Sequence, residues 1–130
     1  MSIQTVSQLR AADALKQLGD GALSEIFVSY IQQLPVMIHQ NGLGQAVAFY
    51  KSKGDEHLKI YNILKNWLCK ESKIFGADRV TNDLLKNIVE TDMANYRMAQ
   101  SEAQAYLYWL RHIAKSKLKK EGGRNEAAPL

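Results

Sequence analysis

The stretch QNGLGQAVAFYKSK, from Gln40 to Lys53, sets a glycine pair ahead of two lysines, the residue types with which a tight backbone turn and a cation hold a phosphate. A dinucleotide fingerprint also needs a strand before the first glycine and a third glycine at the sixth position. Here Val47 occupies that position, no strand pattern precedes Gly42, and the Gly-Lys-Ser/Thr of a P-loop is absent. The stretch therefore reads as a helix junction. Asn41 and Gly42 tolerate the left-handed backbone that ends one helix, Leu43, Ala46, Val47, Phe49 and Tyr50 open the next, and Gly44 leaves a small position for close helix contact.

The other reactive residue types are dispersed. His39, His57 and His112 are far apart, and none has a second ligand at helical spacing, so no metal site is expected. Cys69 is the one cysteine; it excludes an internal disulfide and a four-thiolate zinc site, and its apolar neighbours in NWLCKES fit a small buried side chain better than an activated nucleophile. The carboxylates form no pair that spacing alone could assign as acid and base. No enzyme, cofactor or small-molecule substrate is expected.

Positive charge is better organised. Arg111, Lys115 and Lys119 repeat every four residues and form one row on a helix, with Tyr108 a turn earlier. Cations beside an aromatic ring suit a single-stranded polynucleotide, whose phosphates they neutralise and whose bases stack. The alternative is a solvated helix end, where cations complement the C-terminal dipole. Lys51, Lys53 and Lys59 flank Gly54 and extend the basic surface.

The elements that must position these residues are helical throughout. Apolar residues recur at helical spacing, and no run of two-residue alternation is long enough for a half-buried strand. The pattern predicts an all-α fold, a compact bundle of five to six helices. Leu9, Ala11, Leu15 and Leu18 mark a first helix that Gly19-Asp20-Gly21 stops. Leu23, Ile26, Phe27, Tyr30, Ile31 and Leu34 mark a second, with a bend at Pro35. Asp55 should cap a helix carrying Leu58, Tyr61, Leu64 and Leu68. After a break at Gly76-Ala77-Asp78, Thr81 or Asn82 should cap a short one carrying Leu84, Leu85, Ile88 and Val89. Thr91 or Asp92 restarts the chain into a long last helix with Ala103, Tyr106, Leu107, Leu110, Ile113, Ala114 and Leu118 on one stripe.

With 130 residues, 46% of them hydrophobic, the chain fits one domain over residues 1–120, followed by a flexible tail over 121–130. A net charge of +4 is a mild bias toward polyanions. The start lacks a basic-then-apolar leader, and no apolar run approaches the ~20 residues needed to span a bilayer. The expected location is cytoplasmic, with no membrane partner.

Gly42-Leu43-Gly44-Gln45-Ala46, Ala48-Phe49 and Lys53, followed by Tyr96-Arg97, Glu102-Ala103, Tyr106-Leu107, Trp109-Leu110-Arg111 and Ala114, resemble a known family. The chain is similar to the small helical subunit of the type III-B CRISPR effector, the fifth component of the Cmr module, over nearly its whole length except the tail. The resemblance implies a non-catalytic helical bundle that stacks in several copies beside the backbone and large subunits. It also implies contact with guide RNA and target RNA by backbone shape, with Lys51, Lys53, Arg111, Lys115 and Lys119 as the RNA-binding residues. The alternative is a free-standing helical nucleic-acid-binding protein.

Overall fold

The computed structural model describes residues 3–72, 74–75 and 83–119. These form α1 (Val6–Leu18), α2 (Glu25–Asn41), α3 (Leu43–Lys53), α4 (Asp55–Asn66), a π-helical turn (Trp67–Glu71) that prolongs α4, α5 (Leu84–Glu90) and α6 (Met93–Ser116). The all-α expectation is met.

Local chemistry sets the boundaries. Thr5 opens α1 with a capping box: its hydroxyl accepts from the Gln8 amide at 3.0 Å and the Gln8 side chain accepts from the Thr5 amide at 2.8 Å. Ser24 caps α2, which runs from Glu25 to Asn41 as one helix with Pro35 inside it. Gly42 (φ +88°) and Gly54 (φ +74°) are the single-residue corners between α2 and α3 and between α3 and α4. Two expectations are corrected here. Asn41 stays helical, so the positive-φ corner falls on Gly42 alone, and Asp55 is the first residue of α4, with Gly54 in the cap position. The α5 cap is Asp83, whose carboxylate accepts from the Lys86 amide at 3.2 Å. Gly76-Ala77-Asp78, Thr81 and Asn82 lie outside the described residues. Asp92 caps α6, accepting from the Asn95 amide at 2.8 Å.

The long α6 is the post around which the bundle is built. Its Ala99, Ala103, Tyr106, Leu107, Leu110 and Ala114 are buried, with α1 packed on one side and α2 on the other. The alanines let those neighbours approach closely, and Tyr106 and Leu107 fill the remaining space. The residues that α2, α3 and α4 contribute to the same core include Ile31, Leu34, Leu43, Tyr50, Ile60 and Leu64. Several residues counted in the apolar pattern face outward, among them Leu9, Leu15, Ile26, Leu58 and Val89. Spacing reports which side of a helix a residue is on, but not whether that side is covered.

A polar network links α1, the α4 extension and α6. Arg10 makes two bonds to Glu102, at 2.7 and 2.8 Å, and the Trp67 indole donates to the same carboxylate at 2.8 Å. One helical turn on, Tyr106 donates to Asp13 at 2.7 Å while its ring stacks on Trp67 at 5.2 Å. Gln17 donates to Asp13 and to the Ile63 carbonyl and accepts from Asn66. These partners lie up to 93 residues apart in the chain, beyond the reach of pattern reading.

Candidate nucleic-acid interface

At the glycine junction, the amides a phosphate would need are already used. The Leu43 N–H donates to the Gln100 side chain at 2.8 Å and the Gly44 N–H donates to the Tyr96 hydroxyl at 2.9 Å, both from α6. A Cβ on Gly42 would lie 3.3 Å from that hydroxyl, and one on Gly44 would lie 3.4 Å from it and 3.7 Å from Ile88. Gly44 is thus a close-contact position. The corner is a docking joint for α6.

Lys51 and Lys53 are two residues apart on one helix, about 200° around its axis, and the structure does not bring them together. Lys51 lies 3.6 Å from Asp83 and 5.7 Å from the centre of the Tyr61 ring, toward α4 and α5. The Asp83 carboxyl is held below its ordinary pKa by the Lys86 amide, with Lys51 and Tyr61 adding to the effect. Lys51 therefore has a local anion to satisfy. Lys53 lies 5.5 Å from the Phe49 ring on the other side, in a group where His57 stacks on Tyr30 at 3.9 Å and meets Phe49 and Tyr50 edge-on. Partial burial and the Lys53 charge lower the His57 pKa from 6.5.

On α6, Arg111 is half-buried and Lys115 exposed, and neither has an ion-pair partner among the described residues. Tyr108 is exposed beside them, its ring 4.6 Å from His112. The third member of the expected row departs. The helix ends at Ser116, and the Lys119 N–H donates to the Leu23 carbonyl at 2.7 Å in a short parallel bridge to the start of α2. That bridge also takes Leu118 off the helical stripe. Lys120 and the tail over 121–130 lie outside the described residues. A cation that sequence reasoning missed is Arg97, exposed and 18 residues before Lys115, an interval of five whole turns that puts both on one line of α6. Helical spacing carries that signal, at a longer interval than the local cluster.

Among the described residues no three His, Cys, Asp or Glu side chains gather into a metal-holding group, and no helix is long and apolar enough to cross a membrane. The class defined is an all-α bundle on one long C-terminal helix, with cations on its outer surfaces.

The chain belongs to the Cas_Cmr5 family of CRISPR-associated proteins, whose family model matches residues 6–117. It is also similar to a solved structure, the crystal structure of a CRISPR-associated Cmr5 family protein from Thermus thermophilus. The TM-score is 0.73 at 26% identity, covering 89% of this chain and 100% of that one. Membership makes it a Cmr subunit of the type III-B CRISPR system.

Proposed function

We propose that this subunit is a non-catalytic part of the cytoplasmic type III-B ribonucleoprotein, stacking in several copies beside the backbone and large subunits and touching guide and target RNA through basic residues. Bond cleavage is left to neighbouring subunits. The observation that carries the reading is Arg111 and Lys115, two cations without ion-pair partners among the described residues, beside the exposed Tyr108 ring on α6. Unpaired cations next to an accessible ring can follow a strand by its phosphates and stack on any base, which gives affinity without sequence preference. Lys53 and Lys119 extend the charge elsewhere, and Lys51 contributes less because Asp83 already faces it.

The test is charge reversal in the reconstituted effector. Arg111→Glu, Lys115→Glu and Lys119→Glu together should leave helical circular dichroism and incorporation into the complex intact while weakening target RNA binding. Three lost single-strand contacts should also make the dependence of log K on log salt shallower by roughly 2. Unchanged affinity would mean that these cations merely solvate a helix end.

A further inference from the structure

Two hollows lie end to end between α1 and α4, one on each side of Gln17. The upper, about 410 Å³, is lined by Leu18, Leu23, Phe27, Lys59, Asn62 and Ile63 among others, and the lower, about 340 Å³, by Asp13, Lys16, Gln17, Asn66 and Lys70. Gln17 is the rung between them, donating to the Ile63 carbonyl at 3.1 Å and accepting from Asn66 at 2.9 Å. Lys59, Asn62, Asn66 and Lys70 fall at i, i+3, i+7 and i+11, so they form one face of α4 and its π-helical extension, and Lys16 stands on the opposite wall.

The charges along this furrow are largely unanswered. Lys16 and Lys70 are exposed and have no ion pair among the described residues; Lys59 has a loose surface pair with Glu56 at 3.6 Å. The Asp13 carboxylate lines the lower hollow, but one of its oxygens already accepts from Tyr106 and Gln17. Lys119, displaced from the α6 row, is bonded through its backbone to Leu23, which lines the upper hollow. The departure that breaks the row thus brings the Lys119 backbone beside a residue of the upper hollow.

We infer that this furrow is a second polynucleotide surface, a track for the sugar-phosphate backbone of single-stranded RNA. The inference rests on the RNA-binding reading above and names where, apart from α6, the strand lies. From Lys59 to Lys70 the face runs roughly 16 Å at ~1.5 Å per residue, room for a short run of single-stranded nucleotides. Concave walls concentrate the field of their lysines more than a convex helix does. The lower hollow is lined by polar residues alone, Lys16 and Lys70 among them, and a phosphodiester strand presents a negative charge at every nucleotide to meet such cations. Phe27 is buried at the floor and offers no stacking face, so the track follows the backbone and reads no sequence.

The test compares Lys16→Glu with Lys70→Glu against Arg111→Glu with Lys115→Glu in the reconstituted effector, using single-stranded target RNA containing 4-thiouridine. The furrow pair should lower target affinity roughly tenfold and make the salt slope shallower by about 1.4, and photo-cross-links in the unaltered complex should map to peptides of α1 and α4. If only the α6 pair weakens binding and cross-links map to α6 alone, the furrow is not a track and the RNA-binding reading stands. If neither pair matters and no cross-link reaches this subunit, both fall. Protein cross-links from Lys16 and Lys70 to a neighbouring subunit without RNA would assign the furrow to a protein partner and overturn the inference. Lys16→Gln with Lys70→Gln gives the same comparison should the reversed pair lose its helical signal.

Discussion

The Glu102 carboxylate takes two bonds from Arg10 and one from Trp67, with its side chain 14% exposed. Burial alone would raise its pKa; the hydrogen bonds from Arg10 and Trp67, with the Arg10 charge, outweigh that and hold it below 4.5. Since the folded value is the lower, the stabilisation is complete above the unfolded value and is lost as pH falls through the folded one. Glu102→Gln should therefore cost about 2 to 3 kcal/mol in urea denaturation at neutral pH and flatten the acid side of the stability profile. His57 works in the same direction by another cause. Its folded pKa is depressed by burial and by Lys53, so the fold binds fewer protons than the unfolded chain and loses stability as pH drops below 6.5. Lys53→Gln should move the His57 pKa upward in an NMR titration; an unmoved value would show that Lys53 does not act on the ring.

At the scale of elements, the α2–α3 corner depends on a backbone shape available almost only to glycine. Gly42 has φ +88° and ψ 159°, and an added Cβ would press on the Tyr96 hydroxyl. Gly42→Ala should cost about 1 to 3 kcal/mol. Gly44 lacks the positive φ, and its added Cβ would meet the hydroxyl at 3.4 Å, so Gly44→Ala should cost less. Tyr96→Phe would leave the Gly44 amide without its partner, at about 1 kcal/mol. Thermal melts of the three variants give the order directly. The glycines at this corner were legible because backbone sterics are local. The receiving residues, Tyr96 and Gln100, were not, because they are 52 and 57 residues away.

For the whole molecule, the distribution of charge matters more than its net value of +4. The Arg111–Lys115 pair and the furrow lysines lie on different elements, so on the proposed RNA-binding reading variants of the two sets should weaken binding nearly additively, whereas paired variants within one set should not. A chain ended after Lys120 should melt with the full chain, because the core cluster runs from Ala14 to Ala114 and the final ten residues offer little to bury.

The amino-acid sequence by itself determined that the chain is helical, where most helices turn, and that one long basic helix comes last, because helix period, glycine corners and capping side chains act within a few residues. It also carried the family, through the Gly42 to Lys53 and Tyr96 to Ala114 blocks. Only the tertiary structure decided that Lys51 faces Asp83, that Lys119 leaves α6 for the start of α2, that Leu9 and Leu15 look outward, and that Lys16 and Lys70 share a furrow. Those outcomes depend on which helices cover which faces, and coverage is settled by packing between segments far apart in the chain.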